Sequence, residues 1–222
     1  MPGCFAKHRT AMINRRHFVR TALVAGAVAA VAGRFAGHPA LADAGDPKAK
    51  VEAFYAVLLD CMKQGPQLGF DGRYKKLDPV IHDTFDVPIM ARIAVGQEWT
   101  DMPADKKSAI LEVFARYMVT TYAARFKAFS GQSFSVGDEK QPNADRKLVE
   151  SKIIRANGEP VQLNYVFRQG DSGWKIIDIY LSGTISEMAR MRSDFSETVR
   201  SGGADALIKI LEQKIAELKK GA

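Results

Sequence analysis

Few side chains in this sequence have both the type and the spacing that chemistry demands. Asp178 and Tyr180 stand at i and i+2 in an apolar stretch, so on an extended strand they project to one face. A carboxylate and a phenol placed together inside a cone-shaped α+β fold can carry out proton transfer. The competing reading is structural: an Asp on a strand just before a turn commonly pairs with a nearby Arg or Lys. His82 adjoins Asp83, but sequence neighbours on a helix do not face each other, so the pair reads as surface or half-buried positions. Cys61 falls beside an apolar stripe and reads as a half-buried small apolar residue rather than a reactive thiol. Beyond residue 42 there is no Gly-rich phosphate loop, no CxxC and no HExxH.

The amino terminus explains much of that poverty. Arg15-Arg16-His17-Phe18-Val19-Arg20 followed by an uncharged run from Thr21 to Gly33 reads as a twin-arginine export signal. Asn14, Val19 and Arg20 depart from the usual residues around the arginine pair. The run is shorter than the roughly 20 residues a spanning helix needs. Ala40-Leu41-Ala42 is a small-x-small cleavage site, which predicts a leader over 1–42 and a mature chain over 43–222. Met12 would make a more ordinary start than Met1. The leader holds Lys7, Arg9, Arg15, Arg16, Arg20 and Arg34 and no acid. Of 32 basic residues, 26 therefore remain against 25 acids, and the net charge falls from +7 to about +1. The argument for nucleic-acid binding goes with it. Cys4 and three of the four histidines leave too, so no intrachain disulfide can form and any imidazole chemistry rests on His82.

Asp46-Pro47 opens a helix, with an N-cap acceptor and Pro at the first helical position. Val51, Phe54, Tyr55, Leu58, Leu59 and Met62 form its apolar stripe, and Gly65 ends it. Residues 71–97 read as two short helices broken near Asp86 and Pro88, with Phe85, Ile89 and Ile93 inward. A long helix from Pro103 to about Phe129 carries Ile110, Leu111, Phe114, Tyr117, Met118, Thr121 and Tyr122 on one side. Strands are expected at 132–141, 146–156, 160–169 and 173–183, with hairpin breaks at Asn157-Gly158 and Gly170 to Gly173. Val161, Leu163, Tyr165 and Phe167 alternate with Gln162, Asn164 and Arg168, a strand with one dry face. Residues 174–182 are apolar on both faces, which predicts a central strand. Helices at about 184–200 and 204–219 close the chain. The expected fold is α+β, a single domain with helices wrapped around a curved antiparallel sheet of about four strands. Such a fold readily encloses an apolar cavity, though the same pattern suits a filled core. Lys209, Lys214, Lys219 and Lys220 read as a solvated face, with docking onto anionic lipid as the alternative.

Three segments together resemble the MlaC family of periplasmic lipid carriers, also called toluene-tolerance auxiliary transport proteins. They are Trp99 to Phe129, with its Trp and the aromatic-Ala pattern around Tyr122; Val161 to Leu181, with Tyr165, Trp174-Lys175-Ile176 and Asp178; and Ser182 to Leu211, with Gly183, Ser186, Arg192, Phe195 and the Gly202-Gly203 turn. Gly183-Thr184-Ile185-Ser186-Glu187 is similar to the HpnM branch, associated with hopanoid biosynthesis.

The resemblance implies an NTF2-like or MlaC-like cone and a non-enzymatic periplasmic shuttle carrying phospholipid or hopanoid. Its expected partners are an inner-membrane lipid transporter of the MCE/ABC or RND type and an outer-membrane lipoprotein complex, with no cofactor, metal or nucleic acid. The expected lipid-binding lining is Tyr117, Met118 and Tyr122 from the long helix, with Ile153, Leu163, Tyr165, Phe167, Ile177 and Ile179 from the sheet, and Tyr180 as an alternative on the last strand. Two other classes compete. One is an exported enzyme of the ketosteroid-isomerase type using Asp178 and Tyr180; the other is an interaction module whose apolar sheet face is simply its core.

Overall fold

A computed structural model of the chain describes residues 45–222, so the leader expected over 1–42 lies outside the described residues. Asp46 caps the first helix by accepting from the Ala49 amide at 3.2 Å, and Pro47 begins α1 (Pro47–Lys63). The next helix, α2 (Gly65–Thr84), starts with a single turn that breaks at Gly69, where φ is 59°. The Asp86 carboxylate caps α3 (Val87–Val95) through the Ile89 amide at 3.2 Å, and Pro88 sits in its first turn. After a 3₁₀ turn comes α4 (Ala104–Arg125), which ends at Arg125 rather than near Phe129.

The strands follow in a meander: β1 (Ser133–Asn143), β2 (Arg146–Ile154), β3 (Val161–Gly170), β4 (Gly173–Leu181) and a two-residue β5 (Ile185–Ser186). All neighbours pair antiparallel in the order β1-β2-β3-β4-β5. The fifth strand occupies residues expected to begin a helix, because Ile185 and Ser186 pair with Leu181 and Tyr180. The last helix therefore begins later, as α5 (Glu187–Lys220), with Ser186 as its N-cap and a break at Gly203, where φ is 72°. That break separates the two closing helices expected from the sequence.

Three local expectations change. The inward face of α3 is Val87, Met90, Ala91, Ala94 and Val95, and Ile89 and Ile93 are only half-buried. β4 is not central: beyond it lie only β5 and, at its other end, a bridge between Ile176 and Phe85. Its apolar run reflects that bridge, with the Asp86 amide donating to the Ile176 carbonyl at 2.9 Å, and a bulge at Ile177. Asn164, expected on a wet face, is buried between its register partners Tyr180 and Glu150.

The core lies between the sheet and α1 to α4, and α5 seals it from outside. Phe54 of α1 packs edge-on to Phe85 and to Tyr122, both with ring centroids 5.3 Å away. Tyr55 stacks on Phe134 at 4.4 Å and shares its hydroxyl with Ser151 Oγ at 2.6 Å, and Ser151 in turn donates to the Leu163 carbonyl. Arg73 is buried without a carboxylate; it donates to the carbonyls of Ala123 (2.8 Å) and Gly65 (3.1 Å), tying α2 to the end of α4. A Cβ at Gly65 would sit 2.0 Å from the Lys127 carbonyl oxygen, so only glycine permits this approach. Across α4 and α5, Arg116 pairs with Glu212, and Lys106 with Asp205 at 2.7 Å. Among the described residues no helix is long and apolar enough to cross a membrane.

Candidate functional site, an apolar cavity under the sheet

The alternation of β3 turns Leu163 and Tyr165 toward the helices, and antiparallel register places Ile179 and Leu181 of β4 and Ile153 of β2 alongside them. From the opposite side α4 offers Phe114, Tyr117, Met118, Thr121 and Tyr122, one stripe with helical spacing. The first turns of α5 add Met188 and Met191, and α3 adds Met90. Between these walls is a cavity of about 290 Å³. Its charged residues are Arg125, Arg155 and Glu187.

Seven of the residues expected from sequence border this space: Tyr117, Met118, Tyr122, Ile153, Leu163, Tyr165 and Ile179. Three do not. Phe167 lies further along β3, opposite Ile176, and packs fully buried in the core near the Phe85 bridge. Ile177 is the extra residue of the β4 bulge, since Ile176 pairs with Phe167 and Asp178 with Val166, so it falls out of step with the cavity face. Tyr180 pairs with Asn164 and Ser186 on the face opposite Ile179 and Leu181.

The expected lining left out Phe114, Thr121, Arg125, Phe126, Arg155, Val161, Leu181 and Glu187, and the three lining methionines outside α4, Met90, Met188 and Met191. A usable signal existed for two of them: Met188 and Met191 lie three apart at the start of a helix, which places them on one face. Met90 had none, because only tertiary packing brings α3 to the cavity.

Several polar groups of the interior are paired within the chain, although Thr120 Oγ1, fully buried in α4, has no hydrogen-bond partner among the described residues. Burial pushes the Tyr165 phenol well up, and burial raises Tyr122 and Tyr55 as well, the last offset in part by its bond to Ser151. Thr121 donates to the Tyr117 carbonyl at 2.8 Å. Glu187 receives two bonds from Arg190, at 2.9 and 3.4 Å.

Asp178 is engaged in structural hydrogen bonds. Its carboxylate accepts from Ser186 Oγ at 2.5 Å, from the Met188 amide at 3.1 Å and from its own neighbour's amide, Ile179, at 2.7 Å. Ser186 in turn caps α5 through the Ala189 amide at 2.9 Å. Asp178 thus fastens β4 to the start of α5, and neither it nor Tyr180 borders the cavity. His82 reaches Asp78 at 3.8 Å rather than Asp83, which pairs with Lys50. Cys61 is fully rather than half-buried, and burial raises its thiol. No cluster of potential metal ligands occurs among the described residues.

Residues 53–213 match the family model for the MlaC protein. The chain belongs to the MlaC family. A solved structure shares the MlaC fold seen here: a phospholipid-binding protein from Ralstonia solanacearum, in complex with a phospholipid. It is 24% identical, with a TM-score of 0.68, and the match covers 78% of this chain and 98% of that one. No curated protein sequence matches. Measured on this MlaC framework, the five-stranded meander and wrapping helices are family architecture, and the cavity lies where sheet and helices face each other.

Proposed function

We propose that this chain is a periplasmic lipid carrier that shields acyl chains, or a polycyclic lipid, while they cross between the inner and outer membranes. The observation that carries this reading is the cavity: walls of Leu, Ile, Met, Phe and Tyr around a space of about 290 Å³, with Thr121 bonded to the Tyr117 carbonyl and Glu187 to Arg190. Each methylene moved from water into such a space contributes about 0.8 kcal/mol, so some ten buried methylenes contribute about 8 kcal/mol. Carriage needs no catalytic group, and Asp178, the candidate acid or base, is held in structural bonds. Family membership and the phospholipid in the Ralstonia relative point the same way. Handover would require an inner-membrane lipid transporter and an outer-membrane lipoprotein complex as partners, and export through the twin-arginine leader would deliver the chain to the periplasm.

Native mass spectrometry of protein recovered after export tests the reading. One extractable lipid per chain is expected. Met118→Trp and Ile179→Trp, which place an indole in the cavity, should each lose most of that adduct while remaining folded by circular dichroism. A bare chain mass that stays unchanged after incubation with lipid vesicles would overturn it.

A further inference from the structure

Six methionines lie among the described residues, and five of them are sealed: Met62, Met90, Met102, Met118 and Met188 are at most 8% exposed. Met191 is the exception. It is half-buried on α5, between exposed Arg190 and Arg192, and it lines the cavity one helical turn beyond Met188. Its side chain thus packs against the core and borders the apolar space while part of it is reached by water.

A thioether is soft and nucleophilic, and oxidation turns it from a flexible apolar group into a polar sulfoxide. Burial decides which methionine reacts first, because the sulfur lone pair must meet the oxidant. Resting on the carrier reading above, we infer that Met191 is an oxidation site that sets how firmly the cavity holds its cargo. The co-reactant is a peroxide. The Met191 sulfur attacks one oxygen of hydrogen peroxide; an S–O bond forms and the O–O bond breaks. The proton left on the transferred oxygen passes to the departing hydroxide, which leaves as water. Sulfur is oxidised by two electrons and the peroxide is reduced by the same two. The new S=O dipole then stands in the cavity wall, where it favours water over an acyl chain. Met90, Met118 and Met188 line the same cavity, but their burial delays the reaction.

The test begins with hydrogen peroxide added to exported, lipid-stripped protein and stopped at intervals for peptide mapping by mass spectrometry. Met191 should gain an oxygen on the order of tenfold faster than any of the buried methionines. Protein carrying that single oxygen is then loaded from phosphatidylglycerol vesicles and read by native mass spectrometry. Its apparent lipid affinity should fall about tenfold, the cost of a polar group in an apolar wall. Methionine sulfoxide reductases acting on both epimers, with a thiol reductant, should restore it. Met191→Leu and Met102→Leu are each compared with themselves before treatment. The first should lose its sensitivity to peroxide; the second, altered at a buried methionine outside the cavity lining, should keep it. Oxidation that begins at another methionine, a lipid load indifferent to the Met191 sulfoxide, or a fall in load that comes with loss of the circular dichroism of the fold would overturn the inference. Untreated protein that takes up no lipid would instead overturn the carrier reading, and the peptide map would still decide whether Met191 is the site of oxidation.

Discussion

At the scale of single residues, the aromatic side chains show what a sequence does and does not reveal. The alternation of Leu163, Tyr165 and Phe167 correctly gives their shared face, but alternation says nothing about depth along a strand. Tyr165 meets the cavity and Phe167 is sealed behind it. Arg125 and Arg155 were invisible as lining residues because nothing local distinguishes an arginine beside a cavity from any other solvated one. The buried phenols lead to a pH effect. Burial raises Tyr165, Tyr122 and Tyr55 above the ordinary value of 10.0, so the neutral phenol is the form the fold prefers. Their contribution to stability is complete below pH 10 and is lost as pH rises through the folded values, because the unfolded chain releases those protons first. In an alkaline titration followed by phenolate absorbance and circular dichroism, these three of the six tyrosines should ionise only as the fold is lost. Ionisation of all six near pH 10 with the fold intact would contradict their burial.

At the scale of elements, the starts and stops were largely legible, because the punctuation is chemical. Asp46-Pro47, Asp86 with Pro88, and the Gly170 to Gly173 turn each bound an element where expected. What escaped was non-local. A two-residue strand has no periodicity to detect, and β5 exists only because β4 supplies its partner. The Ile177 bulge likewise follows from pairing rather than composition. The β4–α5 joint illustrates both points: Asp178 gathers Ser186 and the Met188 amide, and the backbone between passes through left-handed Ser182 (φ 50°) and Gly183 (φ 78°). Asp178→Asn weakens that set of bonds. It should cost about 1–3 kcal/mol, a fall in the melting midpoint on the order of 2–12 °C for a chain of this size. Lipid adduct in the folded fraction should persist. A variant with an unchanged midpoint would show that the joint is not held through this carboxylate.

At the scale of the whole molecule, the cavity is small for its proposed task. An apolar cavity of about 150 Å³ accepts one benzene ring, and 290 Å³ falls well short of two acyl chains. Loading must widen it, and the wall best able to yield is the first part of α5. That segment carries Met188 and Met191 and lies between the left-handed positions Ser182–Gly183 and Gly203. Hydrogen exchange should therefore differ between lipid-loaded and lipid-stripped protein mainly over residues 182–203 and the end of α4, with α1 and β1 to β3 little changed; a uniform change, or none, would remove α5 as the moving wall. The order of elements has one further effect, on synthesis. Every strand pairs with its sequence neighbour, so the hairpins can close over short loops as the chain emerges from the ribosome. By contrast α5 comes last, and its Leu207, Leu211 and Ile215 belong to the core that α3 and α4 share. Until α5 has been made, those surfaces lack the helix that covers them and remain open to chaperones.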